Sequence, residues 1–137
     1  MKTAICIWGN AGIGKTSLIR TVFDRLNIAG DAVVQTWGND FCATLAMQCG
    51  TVGFASMGDP CSNQGTCLQQ LVESGCDVIL CASRTKGNTV NAVGNLATHG
   101  YRIIWTSPFS SGDTPVFPLN NLFADAVIRL IQQCLIA

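Results

Sequence analysis

The sequence predicts an α/β fold, a three-layer sandwich with a five-stranded, mainly parallel sheet between helices on both faces. Three observations predict it: five short apolar runs, helical stretches that separate the runs, and a glycine-rich segment between the first run and the first helical stretch. The chain has 137 residues, which is the length of one domain, and we assign residues 1–137 to a single domain.

The five apolar runs are predicted to be strands. Each run is continuously apolar rather than alternating in polarity, which is typical of strands that helices cover on both faces. The runs lie at residues 4–8, 32–37, 51–56, 78–82 and 102–106.

The stretches that follow the runs have helical periodicity. Apolar residues recur there one, four and five positions apart, so that they line one face of a helix. The last stretch is the clearest, and Asn120 or Asn121 can cap its start. The predicted helices cover residues 18–26, 41–49, 67–72, 90–97 and 122–134. Regular alternation of strands and helices predicts a mainly parallel sheet.

Composition and charge exclude several classes of protein. Hydrophobic residues make up 48% of the chain and charged residues 12%, which excludes an intrinsically disordered protein. Eight basic residues balance eight acidic ones, so nothing indicates a nucleic-acid-binding face. No apolar run reaches the length of a membrane span, and the first is shorter than a signal peptide requires. We therefore expect a cytoplasmic protein, and its low surface charge favours a homo-oligomer.

The eight cysteines do not form a recognisable metal-binding pattern. No two are spaced as C-x-x-C, and His99 is the single histidine of the chain. In a cytoplasmic protein we expect reduced thiols, most of them serving as small residues of the core.

The glycine-rich segment carries the chemistry. Residues 9–16 match G-x-x-x-x-G-K-[ST] at every fixed position, after a predicted strand and at the start of a predicted helix. Glycines let successive backbone N–H groups point at phosphate oxygens, and the helix N-terminus adds its positive dipole end. The predicted phosphate-binding residues are Gly9, Asn10, Ala11, Gly12, Ile13, Gly14, Lys15, Thr16 and Ser17.

This segment resembles the Walker A loop of P-loop NTPases, and at the level of strand and helix order the resemblance covers the whole chain. It implies binding of a nucleoside triphosphate with Mg²⁺, in which Lys15 reaches the β- and γ-phosphates and the Thr16 hydroxyl binds the metal. Asn10 stands where partitioning ATPases have a lysine, which disfavours that subfamily. The guanine-reading motif of GTPases is absent, so ATP is the expected nucleotide.

Two acidic residues are candidates for the remaining chemistry. Asp59 follows the third run and is predicted to serve the Mg²⁺ ion, whereas Asp77 begins the fourth run at the opposite edge of the sheet. The alternative for Asp59 is a turn residue before Pro60. Asp40 closes the second run, where it can orient an acceptor hydroxyl or a water, or cap a helix that begins at Phe41.

Arg84 and Lys86 follow the fourth run and can stabilise charge on the γ-phosphate, or else serve as solvated loop residues. Three functions remain open: a slow NTPase or nucleotide-dependent switch, a kinase that transfers the γ-phosphate to a small molecule, and a non-catalytic nucleotide-binding module. The short spacing between the runs leaves no room for the acceptor-binding insertion and basic lid that small-molecule kinases usually carry. We therefore expect the NTPase or switch, with Lys15, Asp40 and Arg84 as its catalytic residues.

Overall fold

A six-stranded mixed sheet forms the middle layer of the fold, in the strand order β2-β3-β4-β5-β1-β6. The computed structural model describes residues 1–10, 14–60, 62–109 and 116–136. Strands β1, β4, β5 and β6 are parallel, and β3 runs antiparallel to both of its neighbours. The strands are β1 (Lys2–Trp8), β2 (Val33–Trp37), β3 (Asp40–Met47), β4 (Gly50–Ala55), β5 (Val78–Ser83) and β6 (Tyr101–Thr106).

Helices cover both faces of the sheet. Helices α1 and α4 pack on one face, while α2, α3 and a short 3₁₀ helix pack on the other. In the described part of the chain, no helix combines the length and the apolarity that crossing a membrane requires. The helices are α1 (Lys15–Leu26), α2 (Gln64–Glu73), α3 (Asn88–Gly94), the 3₁₀ helix (Asn95–His99) and α4 (Val116–Ile136).

The α/β class is confirmed, but the prediction of a five-stranded, mainly parallel sheet is wrong. The segment expected to be a helix at residues 41–49 belongs mostly to β3, which is inserted between two of the predicted strands. Consequently Asp40 does not cap a helix at Phe41, because both residues are paired with β2 in a hairpin.

Two tight turns explain why this segment is a strand. Trp37 pairs with Asp40, which leaves Gly38 and Asn39 as a two-residue hairpin turn, and the φ of Gly38 is 61°. Positive φ values are required in such turns, and glycine and asparagine tolerate them best. At the other end, Met47 pairs with Gly50. Between the turns Phe41, Cys42, Ala43 and Leu45 are buried, on both faces of the sheet, and in so short a segment this pattern resembles that of a helix.

The core consists of one apolar cluster on each face of the sheet. On the α1 and α4 face, the Phe23 ring lies 5.1 Å from the rings of Phe41 and Phe54. This triad joins α1 to β3 and β4, so the inserted strand is part of the core. Strand β5 is buried along its whole length, and so are residues 3–7 of β1, because both faces of these strands are covered.

A disulfide joins Cys42 of β3 to Cys67 of α2, with their Cα atoms 5.8 Å apart. The expectation of reduced thiols is therefore wrong for these two residues, which the inserted strand brings together across a sequence separation of 25. The expectation of small core residues holds for the buried free cysteines Cys6, Cys76, Cys81 and Cys134, whereas Cys49 is exposed. Cys61 lies outside the described residues.

The disulfide yields a test of stability. We expect Cys67→Ala to lower the free energy of unfolding by about 3 kcal/mol, because a loop of this length is no longer closed in the unfolded chain. Urea denaturation without reductant measures the change, and Cys49→Ala is the control that should leave the value nearly unchanged. Peptide mapping that finds both Cys42 and Cys67 as free thiols would contradict the assignment.

Candidate functional site

The candidate site lies where the chain leaves two neighbouring strands towards opposite faces of the sheet. Strands β1 and β5 are adjacent and parallel, but β1 leads into α1 on one face and β5 leads into α3 on the other. Such a divergence opens a crevice at the carboxyl edge of a parallel sheet, where ligands of α/β proteins bind. The Gly9 N–H donates to the Ser83 carbonyl at 3.1 Å, which holds the two strand ends together below the crevice.

The glycine-rich segment borders this crevice. Gly14 has a φ of 85°, a left-handed conformation that favours glycine, and α1 begins at the next residue. Among the described residues no side chain caps this end of α1, and its first turn contains no acidic residue. Gly9, Asn10 and Gly14–Ser17 are described, whereas Ala11, Gly12 and Ile13 lie outside the described residues.

Lys15 is buried, with 7% of its surface exposed, and its ammonium group turns back towards the segment that precedes it. Its Nζ donates to the Gly9 carbonyl at 2.5 Å and to the Asn10 carbonyl at 3.4 Å. Burial lowers the pKa of Lys15, and Arg84 lowers it further, while Asp59 acts in the opposite direction. The segment thus contains a buried cation whose hydrogen-bond partners are two backbone carbonyls.

Thr16 is joined to Asp40 and Ser56 by a set of hydrogen bonds. The Asp40 carboxylate accepts from the Thr16 hydroxyl at 3.3 Å and from the Ser56 hydroxyl at 3.1 Å. The Ser56 hydroxyl also accepts from the Phe41 N–H at 2.8 Å, which leaves its own proton for Asp40. Because β3 is antiparallel to β4, the first residue of β3 lies at the carboxyl edge of the parallel strands, beside the start of α1.

Asp59 and Arg84 form an ion pair at the same edge, with Arg84 Nε 3.0 Å from the Asp59 carboxylate. The segment after β4 lies close against β5: a Cβ on Gly58 would come within 2.9 Å of the Ala82 Cβ. This close approach places Asp59 beside the loop that carries Arg84. Lys86 is exposed on that loop. Asp77 lies at the opposite edge, where its carboxylate accepts from the Thr51 N–H at 2.9 Å.

A polar cleft of about 520 Å³ opens beside the start of α1. It collects the two carboxylates, Asp40 and Asp59, which the sequence analysis singled out, but also two residues that it missed. Arg20 lies one helical turn after Thr16, with its guanidinium 4.2 Å from the centre of the Phe41 ring, and Asn39 comes from the hairpin turn. Because Arg20 follows Thr16 by four residues, helical periodicity alone places both side chains on the same face of α1. The cleft is lined by Thr16, Ser17, Arg20, Asn39, Asp40 and Asp59.

A small group of buried polar side chains lies below the glycine-rich segment. Cys6 of β1 is directly opposite Cys81 of β5, and its thiol is 3.4 Å from the Ser83 hydroxyl. A hydrogen bond from Cys81 lowers the pKa of Cys6, with smaller contributions in the same direction from Ser83 and Lys15.

The oxygen atoms around Thr16 are compatible with a magnesium ion. Mg²⁺ prefers oxygen ligands and usually takes few from the protein, the remainder coming from phosphates and waters. Thr16 and Asp40 supply a hydroxyl and a carboxylate side by side, and the Ser56 carbonyl is 3.3 Å from the Thr16 hydroxyl. Within the described ranges, no three His, Cys, Asp or Glu side chains gather as they would in a site built from protein ligands alone.

Comparisons with known proteins find no relative of this chain. The chain matches no protein-family model, no curated protein and no solved structure.

Proposed function

We propose that the protein binds a nucleoside triphosphate with Mg²⁺ at residues 9–17 and hydrolyses it slowly, as a weak NTPase or a nucleotide-dependent switch. The contact between Thr16 and Asp40 carries the proposal. It pairs the hydroxyl of the motif with a carboxylate from a distant strand, in the place where a phosphate-bound magnesium ion needs oxygen ligands.

The phosphate groups would lie at the N-terminus of α1. The uncapped N–H groups of its first turn are hydrogen-bond donors, and the helix dipole adds positive potential there. The Lys15 ammonium group can exchange its two carbonyl partners for phosphate oxygens, which are stronger acceptors because they are charged. ATP is the nucleotide that we use to test the site.

Thr16 and Asp40 would hold the magnesium ion, which when bound neutralises charge on the phosphates. We favour Asp40 over Asp59 for this role because Asp40 is hydrogen-bonded to Thr16, whereas Asp59 is paired with Arg84. The assignment of the metal to Asp59 remains the alternative, since both carboxylates line the same cleft.

We expect slow turnover because the carboxylates of the cleft are already paired with other side chains. Asp40 already accepts two hydroxyl protons, and Asp59 already faces a guanidinium. Among the described residues that line the cleft, both carboxylates are thus already partnered by other side chains. Arg84, on the loop after β5, is likewise engaged by Asp59. Phosphoryl transfer depends on positioned charge, so these contacts slow it.

A kinase is the second candidate, and the polar cleft favours it. A volume of about 520 Å³ next to the phosphate segment can take a small acceptor with hydroxyl groups. A non-catalytic binding module is the third candidate and differs from both in producing no ADP.

Replacing Lys15 tests the phosphate site. We expect Lys15→Ala to weaken ATP binding by about tenfold or more, because hydrogen bonds from a charged group to the phosphates are lost. Calorimetric titration measures the affinity, and Lys2→Ala, which removes a lysine at the opposite edge of the sheet, is the matched control. Equal affinity of Lys15→Ala and the wild type would contradict binding at this segment.

Replacing each carboxylate tests the metal assignment. We expect Asp40→Asn to abolish the increase in ATP affinity that Mg²⁺ produces, because a neutral amide is a poor magnesium ligand. Asp59→Asn should keep most of that increase. Titrations with Mg²⁺ and with a chelator measure the difference for both variants. If instead Asp59→Asn abolished the Mg²⁺ effect and Asp40→Asn kept it, the metal would be assigned to Asp59.

Replacing Arg84 tests turnover. We expect the wild type to convert ATP to ADP and free phosphate more slowly than about 1 s⁻¹, and Arg84→Ala to be slower by about 10²-fold. Arg102→Ala, at the opposite edge of the sheet, is the control and should keep the wild-type rate. ³¹P NMR follows the products: a new phosphoester in a metabolite mixture would establish the kinase, and no ADP at all would establish the binding module.

A further inference from the structure

We propose that an apolar cavity beside the end of β1 is the site of the nucleobase and that Trp105 stacks on the base. This inference rests on the proposed function, because it assigns the part of the nucleotide that the phosphate segment does not hold.

The cavity lies on the α3 face of the sheet and has a volume of about 330 Å³. Trp8 is the last residue of β1 and Trp105 is the fifth residue of β6, and their rings meet edge to face with centroids 6.3 Å apart. Val90 of α3 and Thr85 of the loop after β5 complete the lining. Trp105 is 40% exposed, so one of the two rings is open to a ligand.

The cavity and the phosphate segment share the same crevice. Trp8 directly precedes Gly9, which places consecutive Cα atoms about 3.8 Å apart. Thr85 directly follows Arg84, on the loop that forms the other side of the crevice. The polar cleft lies on the other side of the phosphate segment, towards β3. A nucleotide with its phosphates at α1 therefore has an apolar cavity on one side and a polar cleft on the other.

The chemistry of the lining selects the base rather than the phosphates or a charged acceptor. Two indole rings, a valine and a threonine line the cavity, and no charged side chain is among these four residues. A charged group would lose its hydration there without gaining a partner. A flat aromatic ring gains stacking on tryptophan, and a volume of about 330 Å³ fits a ring system better than a whole nucleotide.

The lining also determines how well the bases are distinguished. The Thr85 hydroxyl is the one hydrogen-bonding side-chain group besides the indole N–H groups among these residues, and a hydroxyl can either donate or accept. It can therefore serve adenine or guanine equally. We expect the affinities for ATP and GTP to agree within about tenfold, since no lining side chain is a fixed acceptor that would penalise one of the two bases.

The experiment compares ATP with inorganic tripolyphosphate, which has the phosphates but no base. We expect Trp105→Ala to weaken Mg·ATP binding by roughly 5- to 150-fold, the range found when a stacking aromatic is removed. The same variant should bind Mg·tripolyphosphate within about twofold of the wild type. Trp105→Phe, which keeps a ring, should retain most of the ATP affinity, and Ile28→Ala, which truncates a 90% exposed side chain, is the control.

The outcomes separate this proposal from the one on which it rests. Unchanged ATP affinity in Trp105→Ala, with tripolyphosphate still bound, would overturn the base site and leave the phosphate site standing. A wild type that binds neither ligand would overturn both. A third outcome would also overturn stacking on the base. In it, Trp105→Ala weakens the binding of both ligands equally, and Trp105→Phe, although folded by circular dichroism, binds both as weakly as Trp105→Ala.

Discussion

The pairing of β1 with β5 is the constraint on which the rest of the structure depends. The two strands are joined in register from Thr3 and Val78 to Trp8 and Ser83. Because they are central, each supplies side chains to both apolar clusters. Because they lead into helices on opposite faces, their ends separate above the sheet and form the crevice. The same pairing thus organises the core and positions the glycine-rich segment against the loop that carries Arg84.

The antiparallel insertion of β3 determines which side chains face that crevice. A parallel strand in this place would begin at the opposite edge of the sheet, and its first residue would lie far from α1. In β3 the first residue, Asp40, instead meets Thr16, and Ser56 at the end of β4 bridges to the same carboxylate. The contact between Phe41 and Phe23 secures the strand against α1. The polar cleft is therefore a product of the hairpin.

Much of the fold was predictable from the sequence, and the part that was not has a clear physical cause. Continuous apolar runs identified five of the six strands. Burial on both faces explains the signal in β1 and β5, whereas β2 is an exposed edge strand whose run reflects the β-branched and aromatic residues typical of strands. In β3, the burial of Phe41, Cys42 and Leu45 satisfies helical spacing as well, which is why a helix was predicted there. The Gly38–Asn39 turn is the local signal of a hairpin that the prediction did not use. Asp40 was expected at the correct edge of the sheet. Its contacts with Thr16 and Ser56 depended on tertiary packing that no local pattern encodes.

In the proposed site, the hydrogen bonds of Lys15 would influence which anions bind. In the structure its ammonium group is satisfied internally by two backbone carbonyls, Gly9 and Asn10. An incoming anion has to compete with these internal partners before it gains anything from the cation. A single phosphate group offers few contacts to offset that competition, whereas a chain of phosphates spreads its charge over the helix terminus and the lysine together. If the site binds phosphates as proposed, this internally paired lysine would disfavour small anions and favour polyanionic ligands.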